Sequence, residues 1–288
     1  MTKTAMKKTA TIIDGRALAE KIKTDLREHG GKNCGLAVIL VGQDPASQIY
    51  VRNKIKACEF VGISSYVHRF DETTTQAQIL KLIKKLNTDK KVSGILVQLP
   101  LPKHLDESKI INAISVDKDV DGFVPGSKFV PCTALGCLEL IKSTGVKLAG
   151  SHAVIVGRSN IVGKPVAQLL LNHDCTVTIA HSKTVNLPAI TKQANILVVA
   201  VGRAKLITGD MVKPGAVVID VGINRVPDNA QPNTGSSPNL AASTLVGDVD
   251  FDSVKHVAGF ITPVPGGVGP LTVAMLMMNT LSQKLPRL

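Results

Sequence analysis

The stretch SHAVIVGRSNIVGKPVAQLL, Ser151 to Leu170, reads as a strand, a glycine turn and a helix in that order. His152 to Val156 is a nearly continuous apolar run, Gly157 ends it, and Gly163 opens a helix predicted over Lys164 to Asn172. Pro165 sits in the first helical turn, where its fixed φ suits the helix and its missing N–H is no loss. The glycine spacing is not G-x-G-x-x-G, so the generic dinucleotide fingerprint is not met. The order strand, glycine turn, helix is nonetheless the setting in which a pyrophosphate sits at a helix N-terminus. An ordinary strand-to-helix turn has the same look, and this segment alone leaves both readings open.

Working outward, Thr176 to Ala180, Asn195 to Ala200 and Ala216 to Val221 read as further strands of the same α/β unit. The strand TVTIA runs into His181, Ser182, Lys183 and Thr184, with no acid. An acid in this region normally grips the ribose 2′-hydroxyl of NAD. Arg158, Ser182 and Lys183 are instead suited to a 2′-phosphate through charge-assisted hydrogen bonds, which favours NADP. Ala200-Val201-Gly202 and Val221-Gly222-Ile223-Asn224 each place glycine at a strand end. Ligands sit at such ends in open α/β sheets, although simple turns carry glycine too.

The N-terminal half repeats the rhythm. Helices are predicted over Asp14 to His29, Pro45 to Val61 and Thr75 to Leu86, and strands over Leu36 to Val41, Ser65 to Phe70 and Gly94 to Leu99. Continuous rather than alternating apolar strands imply a parallel sheet covered on both faces. The expected architecture is two α/β domains flanking a cleft. One comprises residues 1–130, completed by a C-terminal helix within 269–288; the other, Rossmann-like, spans 131–268. A helix from Thr133 to Ser143 joins them, and the last helix runs from Gly269 to Ser282. Pro227 to Asn239, with three prolines and no periodicity, reads as a surface loop.

Composition narrows the class. A chain of 288 residues accommodates two domains, and with no tryptophan its core must be aliphatic. No apolar run reaches the roughly 20 residues of a membrane span. Met1 to Thr11 is basic but lacks the apolar segment of a secretory signal. The five cysteines form no CxxC pair, so neither a disulfide framework nor a zinc site is indicated, and reduced thiols fit a cytoplasmic protein. The net charge of +12 raises nucleic acid as a partner, but the lysines are dispersed and no RNA-recognition aromatic pattern accompanies them. A positive field also serves small anionic substrates.

Asp44 and Pro45 make a good start for the helix ending at Val61. Val51, Ile55, Cys58 and Val61 form its apolar stripe, and Tyr50 and Lys54 share one flank. A lysine bordering apolar surface can move protons, or simply extend its ammonium to water. Gln98, at the end of the run from Gly94, needs a partner if buried, and Lys54 is a plausible one. Asp117 to Gly122 resembles half of an EF-hand loop, but Lys128 stands where a bidentate glutamate is required, and no metal is expected.

Taken together, DPAS with YVRNKIKAC (Asp44 to Cys58), GILVQLPLP (Gly94 to Pro102), KDVDGF (Lys118 to Phe123), PCTALG (Pro131 to Gly136), GRSNIVGKP (Gly157 to Pro165) and PVPGGVGPLT (Pro263 to Thr272) resemble the bifunctional methylenetetrahydrofolate dehydrogenase/cyclohydrolase family. The order and spacing of these motifs carry the resemblance, which runs from about Asp14 to Thr280. It implies NADP-dependent oxidation of 5,10-methylenetetrahydrofolate, then hydrolysis of the methenyl product to 10-formyltetrahydrofolate, in a homodimer. Lys54 would assist proton transfer, Gln98 would orient it, Tyr50 would stack on the folate and Asp121 would anchor the pterin. Leu99, Pro100, Leu101, Pro265, Gly266 and Gly267 would complete the substrate site. The implied cofactor contacts are Thr133, Gly157, Arg158, Ser159, Val162, Gly163, Pro165, His181, Ser182, Ala200, Val201, Gly202, Gly222, Ile223, Asn224, Asp248, Gly269 and Thr272. The chain departs from the family in having Ala134 where proline is usual. Its segment from Asp121 to Pro131 is also short and lacks an Asn-x-Gly element. A different NADP-linked dehydrogenase of small hydroxy acids would share a first-domain lysine, but YVRNKIKAC and PVPGGVGPLT argue against it.

Overall fold

The structure, a computed structural model, describes residues 9–29, 33–227 and 243–282. The chain divides into two α/β units, residues 17–135 with 271–288, and residues 1–16 with 136–270.

In the first unit, strands β2 (Gly35–Val41), β3 (Ser64–Phe70) and β4 (Gly94–Val97) form a parallel sheet in the order β3-β2-β4. All seven residues of β2 are buried, as its unbroken apolar sequence requires of a central strand covered on both faces. Ala37, Ile39 and Val41 pack with Ile95 and Val97 of β4 and with Ile79, Ile83 and Leu86 of α3 (Gln76–Thr88). Helix α2 (Pro45–Val61) begins where Asp44 accepts a hydrogen bond from the Ser47 N–H at 2.7 Å, with proline in the first turn. It ends at Gly62, whose φ of 85° is the left-handed cap that glycine adopts without strain. The C-terminal helix α9 (Val268–Ser282) returns to this unit. Asn279 there donates from Nδ2 to the carbonyls of Val120 (2.9 Å) and Val130 (3.2 Å).

The second unit is a six-stranded, wholly parallel sheet in the order β1-β11-β8-β7-β5-β6. The chain enters at β5 (His152–Val156), turns through α6 (Gly163–Leu171) to β6 (Thr176–Ala180) on one side, and then builds β7 (Ile196–Val199), β8 (Val217–Asp220) and β11 (Phe260–Ile261) on the other. The reversal between β5 and β7 is the topological switch point of a doubly wound sheet, where ligands bind beyond the strand carboxyl ends. Val154, Val156, Leu197, Val199, Val218 and Ile261 form the centre of its core.

Two expectations are corrected here. The N-terminal residues belong to this second unit, not to the first. Strand β1 (Thr11–Ile12) pairs with β11, and the Thr11 and Ile13 N–H groups donate to Gly259 and Ile261 carbonyls, each at 2.9 Å. A two-residue strand has no periodicity for a sequence to display. The region around Pro227 is not all loop either: β9 (Asn224–Pro227) pairs antiparallel with β10 (Ser243–Val246). The remainder of the expected loop, residues 228–239, lies outside the described residues, as do Met1 to Lys8 and the last residues of the 269–288 segment. No helix among the described residues is long and apolar enough to cross a membrane.

Candidate active site

Helix α2 carries Lys54 inward. Its side chain is only 9% exposed, and Nζ donates to Gln98 Oε1 at 3.0 Å. Gln98 is held at both ends, because its backbone N–H donates to the Ile39 carbonyl (2.9 Å) and its Nε2 to the Leu99 carbonyl (2.7 Å). The amide oxygen is therefore the atom left for the lysine. Tyr50, one turn earlier on α2, keeps its ring partly exposed. Asp121 lies close enough for the Lys54 charge to act on its carboxyl, and near the Cys132 thiol, which donates to the Val120 carbonyl at 3.2 Å. Burial pushes the Asp121 carboxyl up from the usual range, and Lys54 and the thiol pull it partly back. The Cys132 thiol is itself driven well up, first by burial and then by the Asp121 charge. Lys54, Gln98 and Asp121 are thus gathered within one unit, a cation and a carboxyl in surroundings of little water.

The neighbouring acids have structural duties. Buried Asp119 accepts from the Val124 N–H at 2.7 Å, and Lys128 pairs with Asp117. The lysine at the twelfth position of the half-loop neutralises its first aspartate. No group of three metal-ligating side chains is present among the described residues.

Pro265, Gly266 and Gly267 belong to the second unit. Leu99-Pro100 and Val264-Pro265 are cis peptides. Gly266 has a φ of 113°, and a Cβ on Gly15 would strike the Gly267 carbonyl, so the PVPGG turn lies tightly against the start of α1 (Gly15–His29). Thr133 and Thr272 lie in the first unit, their hydroxyls 3.2 Å apart.

At the switch point, Gly157 has a φ of 128°, and a Cβ there would collide with the Ala200 carbonyl beyond β7. Gly163 packs against the Gly157 carbonyl just as closely. Glycine is needed at both because backbone meets backbone. The N–H groups at the α6 N-terminus are engaged within the turn. Ser159 Oγ accepts from the Val162 (3.1 Å) and Gly163 (3.2 Å) N–H groups, its carbonyl accepts from Lys164, and Pro165 has no N–H. Ser159 therefore organises the turn with its hydroxyl, and what remains for an anion is the helix dipole and the exposed side chains. Arg158 and Ser182 are exposed. The turn bearing Ser182 is fixed by three bonds, the His181 N–H to Thr184 Oγ1 (2.8 Å), the Thr184 N–H to the His181 carbonyl (2.8 Å) and the Lys183 N–H to His181 Nδ1 (3.1 Å). Gly202, with a φ of 66°, would set a Cβ in open space, whereas Gly222 has the Asp248 carboxylate where its Cβ would lie. Ile223 is exposed and Asn224 half-buried.

The family resemblance implies a cofactor contact at Asp248. This residue is fully buried, and its carboxylate accepts from the N–H groups of Val201, Gly202 and Arg203 and from Asn224 Nδ2. These bonds shape the loop at residues 201–203. Sequence reasoning missed its neighbour Asp220 altogether, along with Cys132 and Asn279. Each carries the same faint signal, a polar residue closing or interrupting an apolar run that must be satisfied if buried.

A doubly wound sheet with a glycine-built crevice, joined in one chain to an α/β unit holding a buried lysine, defines a dinucleotide-linked enzyme. The family follows from comparison with known proteins. Residues 13–121 match the tetrahydrofolate dehydrogenase/cyclohydrolase catalytic domain, and residues 131–287 match the NAD(P)-binding domain of the same family. The chain belongs to the tetrahydrofolate dehydrogenase/cyclohydrolase family. It is 54% identical to the bifunctional protein FolD of Moorella thermoacetica, over 94% of this chain and 97% of that one. Among solved structures it resembles the bifunctional FolD enzyme of Campylobacter jejuni (46% identity, TM-score 0.87, covering 95% and 98% of the two chains). It also resembles the Trypanosoma brucei enzyme complexed with NADP and an inhibitor (38% identity, TM-score 0.88, covering 96% and 97%).

Proposed function

We propose that this enzyme oxidises 5,10-methylenetetrahydrofolate with NADP⁺ and then hydrolyses the 5,10-methenyl product to 10-formyltetrahydrofolate. The observation that carries this reading is the buried Lys54–Gln98 pair, 3.0 Å apart, beside Asp121. Lys54 assists proton transfer as water adds to the methenyl carbon, and Gln98 orients it, because a lysine held on a neutral amide can exchange protons without losing its place. Asp121 anchors the pterin, and Tyr50 stacks on the aminobenzoate. Leu99 to Leu101 and Pro265 to Gly267 contact the folate.

The residues of the second unit suit NADP. Gly157 admits a close backbone approach at the switch point, and the exposed Arg158 and Ser182 supply a cation and a hydroxyl for the 2′-phosphate. When bound, the cofactor supplies the hydride acceptor; the protein aligns donor with acceptor and keeps water away until the second step. The net charge of +12 serves anionic cofactor and substrate, not nucleic acid. The enzyme works as a homodimer in the cytoplasm, which sedimentation and fractionation test directly.

A second reading, a dehydrogenase with a weakened hydrolytic step, is favoured by one observation. The segment from Asp121 to Pro131 is short, and the chain folds back there tightly enough that a Cβ on Gly122 would lie 2.6 Å from the Pro131 nitrogen. A spectrophotometric assay with methylenetetrahydrofolate and NADP⁺, following NADPH and the methenyl chromophore separately with NAD⁺ in parallel, decides between them. NADPH without lasting methenyl absorbance supports both activities. NADPH with accumulating methenyl product supports the second reading. No turnover with either cofactor refutes both.

A further inference from the structure

The crevice of the second unit is built over two buried carboxylates. Asp248 Oδ2 accepts from the Val201 N–H (2.6 Å) and the Gly202 N–H (2.9 Å), and its Oδ1 from the Arg203 N–H (2.8 Å) and Asn224 Nδ2 (2.9 Å). Three successive backbone N–H groups turned on one anion form a nest, the device by which loops elsewhere bind phosphate. Here the protein's own carboxylate fills it. Asp220, at the end of β8, accepts at Oδ1 from the Gly222 and Asp248 N–H groups and at Oδ2 from the Val249 N–H, each at 2.9 Å. Its own N–H donates to Thr262 Oγ1 at 2.8 Å.

Four segments converge on these two side chains: residues 201–203 after β7, 222–224 after β8, 247–249 after β10, and Thr262 after β11. The backbone is shaped to admit them, since a Cβ on Gly247 would collide with Asp220 and one on Gly222 with Asp248. Neither carboxylate is more than 4% exposed. Two like charges in one dry site are an unfavourable way to fill space. Their use here follows from acceptor count, because one carboxylate satisfies four donors where an amide oxygen satisfies about two.

We infer that Asp248 and Asp220 form a two-carboxylate clamp that positions the strand-end loops 200–203 and 222–224 for cofactor binding, touching no ligand themselves. The open space before Gly202 supports this, because the loop turns its N–H groups inward to Asp248 and leaves its outer face clear. The inference rests on the functional reading above. It replaces a cofactor contact at Asp248 with a positioning role, and it adds Asp220.

The test is a direct titration of NADP⁺ against wild-type, Asp248→Asn and Asp248→Ala, with cofactor-free hydrolysis of methenyltetrahydrofolate measured on each. The clamp predicts that Asp248→Asn raises the NADP⁺ dissociation constant at least 10-fold, and Asp248→Ala more, while methenyl hydrolysis stays within twofold. Asp220→Asn should behave like Asp248→Asn. Dissociation constants within twofold of wild-type overturn the inference. Parallel loss of binding and hydrolysis, or failure of all the variants to fold, also overturns it by assigning the pair to general stability. Wild-type protein that binds no NADP⁺ overturns the functional reading and the clamp with it, an outcome distinct from variants that bind as well as a competent wild-type.

Discussion

Lys54 Nζ and Gln98 Oε1 stand 3.0 Å apart with both side chains buried, so the lysine's charge is compensated by a neutral amide and by the more diffuse field of Asp121. Removing either partner exposes the logic. Lys54→Ala is expected to lower methenyl hydrolysis at least ~100-fold, the scale of a lost acid–base group. NADP⁺ affinity should stay within about threefold, because Lys54 belongs to the other unit. Gln98→Ala should reduce hydrolysis more than hydride transfer. Stopped-flow loss of the methenyl chromophore checks both, and unchanged hydrolysis in Lys54→Ala would remove that residue from its assigned role.

Arg158 is exposed at the turn after β5, so its removal should not disturb the core. A charge-assisted bond to phosphate is worth roughly 1.5–3 kcal/mol, so Arg158→Ala should weaken NADP⁺ by roughly 10- to 100-fold. NAD⁺, which lacks the phosphate, should change by less than threefold. Equal losses for both cofactors, measured by fluorescence titration, would contradict the 2′-phosphate assignment.

The sheets were readable because their strands are unbroken apolar runs, β2 above all, and α2 because Asp44-Pro45 and Gly62 mark its ends. The Lys54–Gln98 pairing was within reach because a glutamine closing a buried strand needs a partner. Other features lacked a local signal. Strand β1 is two residues long, and β9 and β10 are separated by a proline-rich, aperiodic stretch. The Asp220–Asp248 clamp joins residues 28 apart through backbone donors, and backbone donors carry no sequence identity. Ser159 enters as a cofactor contact only through the family resemblance. That its hydroxyl serves the turn is decided by geometry alone.

Gly157 tests the crevice itself. Alanine there would force a φ near 128° on a residue with a Cβ and drive that Cβ into the Ala200 carbonyl. The backbone must shift, at a cost of at least ~2 kcal/mol. Gly157→Ala should therefore lower the thermal midpoint by several degrees and abolish measurable NADP⁺ binding. Near-normal binding would show that the β5 turn can relax without moving the crevice.

All five cysteines are free and buried. Burial pushes the Cys58 and Cys137 thiols up to about 12. At pH 8 such a thiol is ionised in only about one molecule in ten thousand, against roughly one in four for an unperturbed thiol. Native protein should react with fewer than one equivalent of a disulfide reagent within minutes, and with five after unfolding. Rapid modification of two or more thiols in the native state would show that the units open locally.

Asp220 gives the fold a pH dependence with a definite sign. Burial, reinforced by the Asp248 charge, pushes its carboxyl up to about 6 from an ordinary value of 3.8, while three N–H bonds hold it back. The folded value lies above the unfolded one, so folding favours the protonated acid. The resulting contribution, roughly 3 kcal/mol at full extent, is complete below about pH 4 and is lost as pH rises through about 6. Asp220→Asn has no such proton to gain. Wild-type stability measured relative to this variant should therefore fall between pH 4 and 7 and level off above that. Thermal midpoints of both proteins across this range measure the difference. A difference that is flat, or that grows with pH, would mean that the N–H groups of Gly222, Asp248 and Val249 outweigh burial and keep Asp220 ionised throughout.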